Sequence, residues 1–255
     1  MRVTFLGTGT SHGVPMIGCD CAVCRSTDPR DKRYRTSLYL QMDDGTCVLV
    51  DAGPDLRSQA LAHDIRRVDA ILLTHAHADH VMGLDEVRRF NAISGRPMPM
   101  FGQPSSLADV RRMFAYVFED DAPRGGGVPA IALFGVGGPF CLGRQEIVPV
   151  PLPHGPWTVL GYRIGGFAYL TDCNRLTDDA LARLRGVEAV VIDALRHRPH
   201  PTHFTVAEAV VASRRIGARR TWLTHMAHDL GHAATTADLP EGVTLAHDGL
   251  VVDVA

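Results

Sequence analysis

From Thr74 to His80 the chain reads THAHADH, which places three imidazoles and a carboxylate (His75, His77, Asp79 and His80) in one short run. They follow the apolar stretch Ala70-Ile71-Leu72-Leu73, so a strand ending there delivers all four groups to one point at a sheet rim. Neutral imidazole suits zinc, iron or manganese, and a neighbouring carboxylate can ligate, bridge or hold a water. A soluble histidine-rich loop would share the composition but not the combination of spacing, carboxylate and preceding strand. A dinuclear site needs more donors, and later apolar runs supply them. His154 follows Ile147–Leu152, Asp172 ends Ala168-Tyr169-Leu170-Thr171, and His225 ends Trp222-Leu223-Thr224. Singly, each reads as a cap or turn residue; beside THAHADH they read as one site.

A second cluster, Cys19-Asp20-Cys21-Ala22-Val23-Cys24, brings three thiols into six positions. In a chain of this size and expected cytosolic setting, such spacing points to metal before disulfide. Structural zinc takes four ligands, and His228, three residues beyond His225, is the best fourth. The scattered Cys47, Cys141 and Cys173 read as buried small hydrophobes, Cys173 pointing away from Asp172 along its strand. His203 lies in Pro201-Thr202-His203-Phe204-Thr205, just before a helix that Thr205 can cap. Among the other histidines, His12 is placed near the site, and His197 and His200 flank Arg198 where an anion could be held. For these, and for His63, His232 and His247, a surface or core role is the default expectation.

The elements that must position these residues alternate short apolar runs with helical patterns. Strands are expected at Val3–Leu6, Ser37–Gln41, Thr46–Val50, Ala70–Leu73, Pro99–Phe101, Ile147–Leu152, Leu160–Ile164, Phe167–Thr171, Ala189–Ile192, Thr221–Thr224 and Leu250–Val254. Gly165-Gly166 joins two of them as a hairpin. Helices are expected at Leu56–His63, Leu84–Phe90, Ser105–Phe114, Asp178–Leu184 and Thr205–Ile216. Many strands with helices between and outside them imply a layered α/β sandwich. The glycine-rich stretch Asp120–Gly143 lacks the Lys-Ser/Thr ending of a nucleotide loop and is expected to be a mobile surface loop near the site mouth. The basic run Arg30–Arg35 reads as a phosphate-steering patch or, more commonly, a solvated turn.

At 255 residues with 45% hydrophobic and 21% charged content, the chain can bury a full core. A net charge of −2 gives no global attraction to nucleic acid or anionic membrane. No apolar stretch approaches the roughly 18 residues needed to span a bilayer, and the N-terminus enters a strand at once. A cytoplasmic location is expected.

The HxHxDH pattern followed by His154, Asp172 and His225 resembles the metallo-β-lactamase superfamily, as do Gly7-Thr8-Gly9-Thr10 and Val50-Asp51-Ala52-Gly53. That resemblance implies an α/β fold, the αββα sandwich, as a single domain over residues 1–255 with a zinc knuckle at 19–24. It also implies that His75, His77 and His154 hold one divalent ion, that Asp79, His80 and His225 hold a second, and that Asp172 bridges them. Zinc and manganese both suit such a pair. Aspartate at 172, where β-lactamases carry cysteine, favours phosphodiester or ester hydrolysis. Asp51 reads equally well as a residue that orients a ligand and as a turn-former. The CxCxxC insertion and Thr224–His228 resemble the PhnP-type phosphodiesterases, which implies a structural zinc held by Cys19, Cys21, Cys24 and His228.

The His203-Phe204-Thr205 segment is similar to one found in PhnP-type enzymes and in transfer-RNA 3′ processing nucleases, where the histidine faces the scissile phosphate. The implied reaction is attack of a metal-bridging hydroxide on a small cyclic phosphate or nucleotide-like phosphodiester. Asp79 would align the nucleophile, and His203 would stabilise the oxyanion or protonate the leaving oxygen. Two other readings are a transfer-RNA-processing-type nuclease, for which no basic arm is evident, and a non-catalytic PqqB-like carrier, which tends to lose the ligands kept here. Lactonase or thioesterase chemistry would use the same metal pair. The resemblance further favours a homodimer acting on a small phosphodiester, with no membrane and no stable nucleic-acid complex.

Overall fold

The computed structural model describes residues 1–119 and 127–254. In chain order the strands are β1 (Arg2–Gly7), β2 (Ser37–Gln41), β3 (Cys47–Val50), β4 (Ala70–Leu72), β5 (Met98–Gly102), β6 (Ile131–Gly135), β7 (Phe140–Leu142), β8 (Gln145–His154), β9 (Trp157–Ile164), β10 (Phe167–Leu170), β11 (Ala189–Asp193), β12 (Arg220–Thr224), β13 (Val243–Leu245) and β14 (Val251–Asp253). The helices are α1 (Leu56–Ala62), α2 (Ala78–Val81), α3 (Val87–Ser94), α4 (Pro104–Met113), α5 (Ala115–Phe118), α6 (Asp178–Arg183), α7 (Val206–Ile216) and α8 (His232–Ala237).

Two seven-stranded sheets run β14-β1-β2-β3-β4-β5-β6 and β13-β12-β11-β10-β9-β8-β7. Each is antiparallel in one half and parallel in the other, and the parallel halves contain β4, β10, β11 and β12, whose ends carry most of the chemistry. The core explains the layering. Val3, Phe5, Leu40 and Val50 meet Ile147, Tyr162, Val191 and Trp222 between the sheets. Leu49, Ile71, Val87, Phe90, Leu107 and Val110 pack the first sheet against α3 and α4. Val190, Ile192, Leu184, Ala209 and Ala212 pack the second against α6 and α7. Alternate residues of β11 thus enter different cores, and a strand apolar on both faces is what burial between two layers demands. The result is the αββα sandwich.

The expected hairpin is present: β9 pairs antiparallel with β10 across Gly165-Gly166, and Gly165 has φ of 56°. The cap of α7 is also as expected. Thr205 Oγ1 accepts from the Glu208 amide at 3.2 Å, and Glu208 returns a bond to the Thr205 amide at 2.8 Å.

The Asp120–Gly143 expectation fails over its described part. Residues 120–126, with the first two glycines of the triplet, lie outside the described residues. Beyond them, β6 joins β5 in parallel and β7 joins β8 antiparallel, each as the edge of its sheet. Phe134 and Phe140 both stack on Phe101, with ring centroids 5.1 and 4.9 Å away. Flanking glycines masked two real strands whose partners are distant in sequence. The other differences are smaller. Leu84–Phe90 divides into a 3-10 turn at Leu84–Glu86 and α3, while α2, α5, α8 and β13 had no expectation.

Candidate metal centre at the strand ends

His75 and His77 follow β4, Asp79 and His80 lie in the one-turn α2, and His154 is the last residue of β8. Asp172 follows β10 and His225 follows β12. Asp51, Asp172 and His225 adopt φ of 61°, 54° and 61°, a left-handed conformation that turns each side chain back over its strand end. Such backbone costs about 1–3 kcal/mol per residue and persists where the surroundings overdetermine it. Gly53 serves the same convergence, because a Cβ there would meet the Asp79 carbonyl oxygen at 2.1 Å. The loop after β3 can therefore lie directly on α2.

All seven expected donors come together. His75, His77, His154 and Asp172 each offer a ligand atom within 4.8 Å of the others, as do Asp79, His80 and His225 among themselves. Asp172 touches both sets: Oδ2 lies 3.3 Å from His80 Nε2, and Oδ1 lies 3.3 Å from His225 Nε2 and 3.9 Å from His75 Nε2. Asp79 Oδ2 lies 3.3 Å from His80 Nε2 and 3.6 Å from His225 Nε2.

The electrostatics describe a site built for positive charge. Burial opposes ionisation of Asp79 and Asp172, yet the imidazoles around them hold both carboxyls well below their usual range. Burial also opposes protonation of His80 and His225. The carboxylates overcome it, raising His80 well above its ordinary value and His225 to about 9. Burial drives His75 and His154 the other way, into the neutral form that ligates. The buried Nε2 of His80 and of His225 and the Nδ1 of His154 have no hydrogen-bond partner, a cost that a cation among them would remove. The residues fit a divalent metal.

Behind these donors stand groups that hold them. Asp51 is fully buried and accepts from His80 Nδ1 at 2.7 Å, from the Thr74 amide at 2.9 Å and from Thr74 Oγ1 at 2.9 Å. Both readings of Asp51 therefore hold: it shapes the turn and fixes the His80 ring. His203 is held in the same way by Asp193, whose Oδ2 accepts from His203 Nδ1 at 2.7 Å and from the Cys173 amide at 2.9 Å. That leaves His203 Nε2 facing the cluster, 4.0 Å from Asp172 Oδ1, with its ring stacked on His225 at 4.8 Å. Sequence reasoning missed Asp193, although a carboxylate closing Val190-Val191-Ile192 was the available signal. Cys47 and Cys173 are buried as expected, Cys173 in the loop beyond β10 and not on a strand, whereas Cys141, on the edge strand β7, is exposed.

The cysteine cluster also assembles. Cys19 Sγ and Cys21 Sγ each lie 3.3 Å from His228 Nδ1, and Cys24 completes the group. Backbone amides point at two of the sulfurs, Cys24 N at Cys21 Sγ (3.4 Å) and Met16 N at Cys24 Sγ (3.3 Å). The Cys24 amide and His228 draw the Cys21 thiol down to about 6, toward the thiolate a metal requires, while burial pushes the Cys24 thiol up to about 11.

The basic run is neither a steering patch nor a solvated turn at its centre. Arg33 is completely buried, pairing with Asp31 and donating to the carbonyls of Ala227 at 3.1 Å and Leu230 at 2.6 Å. It clamps the loop that carries His225 and His228. Arg35 is tied to Asp55 at 3.0 Å. His12 and His197 are exposed, and the His200 ring lies 5.0 Å from that of His203. No helix among the described residues is long and apolar enough to cross a membrane.

Comparison with known proteins agrees with this geometry. Residues 46–226 match the model of the Beta-lactamase superfamily domain. A solved structure described as a new diphosphatase from the PhnP family superposes with a TM-score of 0.92 at 41% identity, covering 100% of this chain and 98% of that one. An octanoyltransferase of Porphyromonas gingivalis is 37% identical over 98% of this chain, which spans only 51% of that protein. A coenzyme PQQ synthesis protein B of Methylorubrum populi is 29% identical, with 100% of both chains covered. The chain belongs to the beta-lactamase superfamily, in its PhnP-like branch.

Proposed function

We propose that the protein is a metal-dependent phosphodiesterase that hydrolyses small cyclic phosphates or nucleotide-like phosphodiesters. In this reading His75, His77 and His154 would hold one divalent cation and Asp79, His80 and His225 a second, with Asp172, which neighbours both groups, contributing to each. When bound, such a pair makes water a nucleophile near neutral pH and neutralises the phosphoryl oxygens. The chain's own residues do the rest. Asp51 and Thr74 fix the His80 ring so that Nε2 faces inward. Asp79, at the inner edge beside His80 and His225, orients the attacking water.

The observation that carries the reading is the His203–Asp193 pair beside the metal-type donors. With Nδ1 bound to a carboxylate, His203 can hold a proton on Nε2 and aim it at the cluster. As the new P–O bond forms and the ester P–O bond breaks, that proton passes to the departing oxygen. Cys19, Cys21, Cys24 and His228 hold a zinc ion that serves structure, since four protein ligands leave no open position.

Acyl transfer, the activity in the Porphyromonas gingivalis relative's name, finds less support. This chain spans only 51% of that protein, and Cys173, the cysteine next to Asp172, is fully buried and inaccessible to an acyl group. The test is turnover of bis(p-nitrophenyl) phosphate and adenosine 2′,3′-cyclic phosphate with added Mn²⁺ or Zn²⁺. Hydrolysis of both is expected; no phosphodiester turnover alongside hydrolysis of lactones would overturn the reading.

A further inference from the structure

Trp157 has no role in the chemistry above, yet it stands against two of the donor histidines. Its ring lies 5.5 Å from His77, edge-on at 89°, and 6.3 Å from His154, nearly parallel at 28°. The side chain is 60% exposed, whereas the chain's other tryptophan, Trp222, is 7% exposed in the core between the sheets. Singly exposed apolar residues are ordinary on any surface. Trp157 differs because its place is fixed. It pairs with His154 across the two-residue turn Gly155-Pro156, and Gly155 needs φ of +59°. A Cβ on Gly155 would meet Thr202 Cγ2 at 2.9 Å, so the turn is seated against the segment that leads into His203. The His154 ring lies 5.1 Å from His203, which puts indole, donor histidines and proton-holding histidine along one wall.

We propose that Trp157 is a specificity-determining residue that stacks on a planar aromatic group of the substrate, namely the base of a nucleoside phosphodiester. The inference rests on the phosphodiesterase reading and names the substrate class for it. A phosphate bound beside His77, His154 and His203 would have the indole as its neighbour on the exposed side. Indole is a good surface for this purpose, because every base presents a π-face and the ring loses little freedom on stacking.

Two cyclic phosphodiesters that undergo the same ring opening, adenosine 2′,3′-cyclic phosphate and glycerol 1,2-cyclic phosphate, isolate the effect. Loss of base–aromatic stacking in Trp157→Ala should lower kcat/KM for the adenosine compound relative to the glycerol compound by about tenfold, mostly in KM. Trp157→Phe should restore most of the ratio. An equal fall on both substrates would make the indole a mere prop for His77 and His154, and an unchanged ratio would remove it from recognition. Binding is read separately by tryptophan fluorescence. Adenosine 5′-monophosphate should quench the wild-type protein saturably where ribose 5-phosphate does not, and should fail to quench Trp157→Phe, which keeps only Trp222. If the wild-type protein turned over neither cyclic phosphate, the phosphodiesterase reading would fall, and fluorescence would still decide the indole. Absence of adenosine-dependent quenching would overturn the proposal.

Discussion

His75, His80, His154, Asp172 and His225 are buried, with His77 and Asp79 partly so, and all follow or end strands or lie in one short helix, whereas in the cysteine cluster only Cys24 is buried and all four donors lie on loops. The strand-end cluster is fixed by carboxylates: Asp51 holds His80, and Asp193 holds His203. The cysteine cluster is fixed by backbone amides pointing at sulfur, and its fourth donor arrives on a loop that the buried Arg33 clamps. The first arrangement keeps unpartnered nitrogen atoms and carboxylates together deep in the fold, which suits chemistry. The second is four donors around one point at the periphery, which suits cross-linking two chain segments more than two hundred residues apart. The two clusters meet between His225 and His228, so a single short loop reports to both.

The largest effect that would test this division lies at His203. His203→Ala should slow phosphodiester cleavage by roughly 10²–10⁴-fold, the usual worth of a positioned acid or base, with metal content unchanged by elemental analysis. Loss of a metal ion instead would move His203 into the ligand set, a position its 4.0 Å approach to Asp172 also permits. Next comes Asp51→Asn, which removes the charged acceptor behind His80. It should weaken metal binding at the strand-end cluster by about 10–100-fold, measured by chelator competition, and leave the cysteine cluster loaded.

Cys21→Ser should act the other way. One metal ion per chain is lost and Tm drops by several degrees, at about 2–4 °C per kcal/mol for a chain of this size, while kcat changes only a few-fold. A collapse of kcat comparable to that of His203→Ala would mean that the knuckle governs the position of His225, and the division would fail.

The smallest effect on turnover concerns Asp248, which accepts from Thr8 Oγ1 at 2.8 Å and from the Tyr34 amide at 2.6 Å beneath the same loops. Burial raises its carboxyl from 3.8 to about 7 against those hydrogen bonds. Between those values the folded chain keeps a proton that the unfolded chain has released. The contribution to stability is therefore complete below about pH 4 and is lost as the pH rises through about 7. Asp248→Asn should flatten this part of the Tm-against-pH curve relative to wild type, and parallel curves would show that the carboxyl does not titrate there.

Much of the site was legible because donors at strand ends leave a signature: an apolar run, then a ligand type. THAHADH, His154, Asp172 and His225 all follow that rule, and the Cys19–Cys24 spacing is a signal of its own. Asp193 obeys the rule as well and was missed, because one aspartate closing a strand looks like any other strand terminus. Arg33 could not have been read, since burial of an arginine depends on carbonyl groups 194 and 197 positions away. Strands β6 and β7 escaped notice for a related reason. Their glycine-rich flanks look like loop, and only pairing with β5 and β8 makes them strands.

The sequence by itself determined the superfamily and picked out the residues that the structure gathers into two clusters, His203 beside one of them, because residue type and spacing are local properties of a chain. Only the tertiary structure decided that Asp172 touches both donor sets, that three site residues sit in left-handed backbone, and that Asp193 and Arg33 hold the parts in place. It alone set Trp157 beside the donors. These are relations between strand ends brought together by two packed sheets, and distance along the chain carries no record of them.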